Sequence, residues 1–385
     1  MRQLLRDIAE IGAGQGAPQG DSNYCNNGTP FIKAGNMENL SSGGSLDAIQ
    51  KVSEEVAKAH NLKLYPKGTV LFAKSGMSCL KGYIYVLPRE TYVVSHLACI
   101  TPHEDISEYL RYYFEYHKPN QLVKDPAYPS ISLADIGALE IDIKNAEKRA
   151  NIISKLNSAK SIIGLRKQEI QRFDELIKAR FVEMFGDPET NPKGWQQVIL
   201  NDVCSSIVRG PFGSALKKEF FVEPNETTYK VYEQKHAIQK SASIGEYYIT
   251  FEKFKELKRF ECVPGDILMS CSGTMGELFQ LPEGCERGII NQALCKFTLN
   301  QRILPICFLV YMRQTIKNLE TKGSGIQNIA AVSYVKAMPI NLPPMDVQEQ
   351  FAAFVAQIDK SKFVVQKALD KAQLLFDSLM QKYFG

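Results

Sequence analysis

Apolar positions follow two rhythms along this chain. Over about 140 residues they come in short runs bounded by Gly, Pro and polar residues, such as GTVLF, GYIYVL and TYVVSHLACI between positions 68 and 100. Such lengths and boundaries predict strands, and segments 107–117 and 305–317 read as short buried helices among them. Then the rhythm changes. From 147 to 184 there is no Pro and no Gly except Gly164, while Leu156, Ile163, Ile170 and Ile177 recur every seven residues. That stripe predicts a long helix that packs on another helix. Both rhythms then return. GDILMS, EYYITF and RGIINQALCKFTL give a second set of predicted strands, and Ile358, Val365, Ala372 and Leu379 a second stripe. Ile152, Ala159 and Phe173, and in the second copy Phe354, Ala368 and Leu375, fill a companion seam.

The return is collinear, which marks an internal duplication. Gly265 follows Gly68 by 197 positions (265 − 68), and Ser272-Gly273 follows Ser75-Gly76 by the same distance. Leu200-Asn-Asp202-Val203 echoes Leu5-Arg-Asp7-Ile8 at an offset of 195, and IINQALC echoes VVSHLAC at 196. The stripes align at 202, pairing Leu156 with Ile358 and Ile163 with Val365. The predicted fold class is α+β, with two tandem globular domains, each followed by a long helix. Boundaries fall at 1–144 and 187–345 for the domains, and at 145–186 and 346–385 for the helices. The helices are expected to pack on each other, with Ile163, Ile170, Val365 and Ala372 all in the shared seam.

Composition narrows the chemistry. The 385 residues carry a net charge of +4, which permits nucleic-acid binding without demanding it. Nine scattered cysteines form no CxxC pair, which fits reduced thiols and a cytoplasmic location. No apolar run is long enough to span a bilayer, and the first residues lack a signal-peptide pattern. There is no phosphate-binding GxxxxGK[ST] loop, no GxGxxG after a strand, no metal-ligand spacing and no nucleophile–base pair, so no catalytic, metal or cofactor site is expected in the chain. Asn341-Leu-Pro-Pro reads as the approach to a helix. His96, inside an apolar run, reads as a core or surface histidine.

The polar loops carry the candidate contacts. VRGPFGSALKK (208–218) surrounds Phe212 with Arg209, Ser214, Lys217 and Lys218 in a turn tightened by Gly and Pro, a set suited to phosphates and guanine edges. YKVYEQKHAIQK (229–240), read as a strand, offers Gln234 for adenine, with Lys235 beside it as a further candidate contact. In the first half the equivalent loop, GAGQGAPQGDSNY (12–24), reads as flexible and offers Gln15 and Gln19. Both Ser-Gly turns add hydroxyls, Ser75 beside Lys74 and Ser272 in the second copy. Two exposed polar loops precede the long helices, KDPAYPSIS (124–132) and GSGIQNIA (323–330), the latter with Gln327. A common frame with differing loops is what a reader of two different targets needs.

These features together resemble the specificity subunit of type I restriction-modification systems. The residues that carry the resemblance are PGDILMSCSGT (264–274), RGPFGS (209–214), PINLPPMDVQEQ (339–350) and the two seven-residue stripes. The likeness is closer in the second half. In the first, IDIKNAEKRA stands where INLPPMDVQEQF would, and Lys67 replaces the proline before Gly68. The resemblance implies two target-recognition domains, each reading one half of a bipartite, asymmetric site on double-stranded DNA. It implies an antiparallel coiled coil with pseudo-twofold symmetry that fixes the unread spacer. It also implies no catalysis by this chain. Two modification subunits would bring S-adenosylmethionine and methylate adenine, and a restricting complex would add two restriction subunits using ATP and Mg. The rival expectation is a coiled-coil adaptor with no DNA role, which leaves the two differing loop sets without a purpose.

Overall fold

The computed structural model describes residues 2–321 and 331–385. The first half runs β1 (Arg2–Leu4), α1 (Leu5–Ile8), β2 (Ala9–Ala13), β3 (Thr29–Ile32), α2 (Met37–Ser41), β4 (Lys51–Val52), α3 (Glu54–Ala59) and β5 (Leu64–Tyr65). It continues with β6 (Val70–Ala73), β7 (Ile84–Val86), β8 (Thr91–Val93), β9 (Leu97–Pro102), α4 (Ser107–Tyr116), α5 (Leu133–Gly137), β10 (Glu140–Asp142) and α6 (Ala146–Phe185). The second half repeats that order element for element. It runs β11 (Gln196–Ile199), α7 (Leu200–Val203), β12 (Cys204–Arg209), β13 (Tyr229–Tyr232), α8 (Gln234–Gln239), β14 (Tyr248–Ile249), α9 (Phe251–Glu256) and β15 (Glu261–Cys262). Then come β16 (Ile267–Ser270), β17 (Leu278–Gln280), β18 (Gly288–Ile290), β19 (Leu294–Leu299), α10 (Pro305–Thr321), α11 (Val332–Ala337), β20 (Pro339–Leu342) and α12 (Met345–Phe384). Every strand thus has its counterpart ten strands later, and every helix six helices later.

Pairing repeats as closely as order. In the first half one antiparallel sheet runs β2-β9-β6-β7, and a mixed one runs β4-β3-β8-β5 around the parallel pair β3–β8. The second half has β12-β19-β16-β17 and β14-β13-β18-β15, with β13–β18 parallel. Register is kept: Val70 faces Ile100 and, 197 residues on, Ile267 faces Phe297. A two-stranded ribbon, β1–β10 or β11–β20, ties the start of each half to the strand before its long helix. Asn341 serves that approach: it is buried, and its amide bonds to Pro188 O and to Gln197.

Two predicted strands are each two. VVSHLAC divides between β8 and β9, which belong to different sheets, and IINQALC divides likewise between β18 and β19. A turn interrupts the apolar run: Leu97 N donates to Val94 O, and Leu294 N to Asn291 O, with Asn291 Oδ1 accepting from Ala293 N. EYYITF is also shorter than predicted, since Thr250 caps α9 through its hydroxyl and only Tyr248–Ile249 remains strand.

The chain forms two compact units, residues 1–167 with 367–385, and residues 168–366. In the first, Ile152 and Leu156 near the start of α6 share a core with Met380 and Phe384 at the end of α12. In the second, Phe351 near the start of α12 lies 5.5 Å and 5.2 Å from the rings of Phe181 and Phe185. Further along α12, Lys362 pairs with Asp174 further back along α6, so the helices are antiparallel there. The predicted stripe is covered. Leu156, Ile163 and Val365 are buried, and Ile170, Ile177, Ile358, Ala372 and Leu379 are half-buried. Leu375, placed in the companion seam, is instead 54% exposed.

The helices align at an offset of 199, not 202. Arg149 donates to Lys144 O and Gln348 to Pro343 O, so these residues hold equivalent places. The counterpart of Leu156 is therefore Val355, and that of Ile358 is Ala159. Seam residues alternate three and four apart, so a shift of three still lands on apolar positions. No described helix is long and apolar enough to cross a membrane.

Candidate nucleic-acid interface

In the second unit three chain segments converge at the turn after β16. Gly273 there has φ +58°, and its counterpart Gly76 has φ +74°, a left-handed conformation that a side chain would strain. Ser272 Oγ donates to Gln234 Oε1 at 3.2 Å, and Gln234 Nε2 donates to Thr274 O at 3.2 Å. Arg209, at the end of β12, donates from Nε to Gln292 O and from Nη2 to Cys271 O. Its guanidinium lies 5.3 Å from the ring centre of Phe212, which is 67% exposed. Pro211 is buried, and a Cβ on Gly210 would come within 1.9 Å of Asn291 O, so this turn has one backbone path. Arg209, Phe212, Gln234 and Ser272 are thus brought together as one polar and aromatic edge.

Other predicted residues stand apart from it. Lys217 pairs loosely with Glu219 at 3.6 Å, and Ser214 and Lys218 are exposed; buried Leu216 fastens this loop. Lys235 pairs with Glu233, which raises its pKa, and lies over the ring of Tyr247. Gln234 and Lys235 were expected on a strand, but the strand ends at Tyr232 and both begin α8. The cause is a cap: Glu233 N donates to His236 Nδ1 at 2.9 Å, while His236 Nε2 donates to Ile244 O at 2.7 Å. Burial holds His236 below its ordinary pKa of 6.5. Gln327 lies outside the described residues.

The first unit builds the same edge from other side chains. Ser75 Oγ bonds to His96 Nδ1 at 2.8 Å, so His96 is an exposed member of the edge and not a core residue. Lys74 N donates to His96 O, which leaves the half-buried Lys74 side chain beside the pair. Loop 12–24 is pinned at its start. Gln15 N donates to Val93 O, Ser95 N donates to Gln15 O, and a Cβ on Gly14 would meet Val93 O at 2.0 Å, as Gly210 meets Asn291. Gln15 spends its side-chain oxygen on Lys63 N at 3.0 Å, whereas Gln19 is exposed and bonds only locally, to Ala17 O. Sequence reasoning missed His96 and Gln292, which flank the Ser-Gly turns from the interruption inside the apolar runs. Among the described residues no group of His, Cys, Asp and Glu could hold a metal ion.

The comparisons with known proteins follow this duplicated frame. The sequence model of the type I restriction modification DNA specificity domain matches twice, over residues 3–172 and 192–372. The chain belongs to this specificity family. Two curated relatives come from Methanocaldococcus jannaschii. The type I restriction enzyme MjaIX specificity subunit is 27% identical over 139 residues, 34% of this chain and 31% of the relative. The MjaVIII specificity subunit is 24% identical over 138 residues, with the same coverage. The matches thus span about a third of these relatives' length. The fold likeness is wider. The type I restriction-modification S subunit from M. genitalium aligns with 100% of this chain and 96% of its own, at a TM-score of 0.53 and 13% identity. A chain from a structure describing complex assembly and conformational transition of a type I system aligns over 100% and 97%, at a TM-score of 0.61 and 16% identity. The two-domain specificity architecture accounts for the whole chain.

Proposed function

We propose that this chain is the DNA-reading, non-catalytic subunit of a type I restriction-modification enzyme. Each unit reads one half of a bipartite, asymmetric site on double-stranded DNA, and the paired helices set the unread spacer. One observation supports this reading above others: the same strand frame and Ser-Gly turn carry Ser75 with His96 in one unit, and Ser272 with Gln234 and Arg209 in the other. Hydroxyl, amide, imidazole and guanidinium groups on a rigid edge are the chemistry of base-edge and phosphate contact. Arg209 suits guanine, Gln234 suits adenine, and Lys217 and Lys218 on their exposed loop suit phosphates. The chain would act in the cytoplasm and hold two modification subunits, which bring S-adenosylmethionine. Two restriction subunits, using ATP and Mg, would complete a cleaving enzyme. The test is genome-wide sequencing of methylated adenine in cells with and without the gene. One bipartite motif should vanish on deletion, and an unchanged pattern would refute the assignment.

A further inference from the structure

Among the described residues no large apolar side chain is more exposed than Tyr128, at 82%. Its turn is braced. Asp125 Oδ1 accepts from Ala127 N at 2.8 Å, Asp125 O accepts from Tyr128 N at 3.2 Å, and Pro126 and Pro129 flank the ring-bearing residue. The segment is then strapped to the first Ser-Gly turn. Gly76 N donates to Pro129 O at 3.0 Å, Ser75 bridges Ser130 in antiparallel register, and Ile131, itself buried, donates to Lys74 O at 2.8 Å. Met77, which follows Gly76 out of that turn, is 69% exposed. A rigid tip that holds an aromatic ring in water has already lost the freedom that binding would otherwise cost.

The second unit also has an exposed aromatic linked to its own Ser-Gly turn. Phe212 is 67% exposed beside buried Pro211, and Arg209 links it to Cys271 O at the Ser-Gly turn. Yet the two aromatics come from segments that are not equivalent in the duplication. Tyr128 precedes α6 by way of α5, whereas Phe212 follows β12. Duplication explains a feature inherited at matching positions. It does not explain two exposed rings, each next to a proline and each tied through a different segment to the Ser-Gly turn of its own unit, which points to a demand set by what binds there.

We propose that Tyr128 is a DNA wedge that enters the groove at the first half-site and props open one base step. The proposal rests on the DNA-reading assignment above. Apolar and aromatic side chains inserted between base steps unstack them and bend the duplex. The flanking Ser75, His96 and Lys74 supply the polar contacts that hold the groove against the ring.

The probe is a duplex containing the methylated motif, with 2-aminopurine placed in turn at each position of the first half-site except the methylated adenine. Bound by the chain with its modification subunits, one step should brighten several-fold through loss of stacking. Tyr128→Ala should return that step to the brightness of free duplex and weaken binding about tenfold, the scale of one lost stacking contact. Tyr128→Phe should restore both, because the ring and not the hydroxyl does the unstacking. The fluorescence of the second half-site should not respond to either variant. A bound Tyr128→Ala complex with the wild-type fluorescence pattern, or a bound wild-type complex with no brightened step, overturns the wedge and leaves the reader assignment standing. Failure of the wild-type complex to bind the motif overturns both.

Discussion

The wall where the short helix of each unit meets the long helices is filled in one unit and open in the other. In the first unit Tyr112 is fully buried, its hydroxyl donates to Asn157 Oδ1 at 2.6 Å, and its ring centre lies 6.3 Å from that of Phe376. Arg111 stacks on that ring at 4.1 Å, and Lys160 pairs with Glu115 at the rim. The second unit places Val310 and Ile177 at the corresponding positions. Tyr113 and Tyr311 fix the match, since their hydroxyls donate to Glu140 O and Pro339 O, which are equivalent in the two ribbons. With two rings replaced by aliphatic chains, a cleft of about 510 Å³ opens, lined by Leu309, Val310, Val355 and Ile177, with Asp174 and Lys362 at its edge. Pairing and turns were kept through the duplication, while side-chain filling was free to diverge. Backbone hydrogen bonds tolerate few alternatives, whereas a wall can lose volume so long as the remaining core holds.

The largest effect should come from making the filled wall resemble the open one. Tyr112→Val removes a buried ring and leaves Asn157 without its hydroxyl partner, at a cost of about 3 kcal/mol. Hydrogen exchange resolved along the chain should show the loss in residues 1–167 and 367–385 and not in 168–366. The reciprocal Val310→Tyr enters an existing cleft and should change stability by less than about 1 kcal/mol. Equal penalties for the two substitutions would show that the walls do not differ as described.

Next in size is the asymmetry of the reading edges. Arg209→Ala should cost about 1–3 kcal/mol on the cognate duplex and much less on random DNA, because a guanidinium on a base edge discriminates. Lys217→Ala with Lys218→Ala should weaken binding to all sequences alike and lower the salt slope of log affinity by about one per lost contact. Titration of duplexes with either half scrambled separates the two outcomes. If Arg209→Ala weakens random and cognate DNA equally, Arg209 touches phosphate only.

The smallest difference lies in a cap. The N–H that begins the helical turn after the first parallel strand is accepted by Asn36 Oδ1 in one unit and by His236 Nδ1 in the other. His236 is fully buried, and burial lowers its pKa below the ordinary 6.5, against nearby Glu233 and with Lys230. A lowered folded value means that the unfolded chain takes up the proton first. The stability from neutral His236 is therefore complete above pH 6.5 and is lost as pH falls through the folded value. Acid denaturation should destabilise the second unit before the first over that window. His236→Asn, which copies the first unit's cap, should remove the difference, and persistence of the difference would assign it to other groups.

The duplication was legible because its markers obey backbone rules. Gly76 and Gly273 sit in left-handed turns, as do Gly68 and Gly265, so neither pair could drift. The long helices were legible for a similar reason, since an apolar stripe must be covered. Their alignment was not: a slip of three residues preserves the stripe, and only the bonds of Arg149 and Gln348 to the preceding turn decide it. Gln234 was misplaced because Glu233 and His236 form a cap from residue types seldom read as one. Tyr128 was passed over because KDPAYPSIS looks like a polar loop. The signal lay in an aromatic between two prolines, which is a rigid display and not a flexible connection.

The central claim is that the two units read separate halves of one DNA site. The direct measurement is methylated-adenine sequencing in cells whose only copy carries Arg209→Ala, Gln234→Ala and Ser272→Ala together. The account predicts a motif whose first half and spacer length are unchanged, while the second half loses its sequence preference. A motif degraded equally in both halves, or altered in spacer alone, would contradict it.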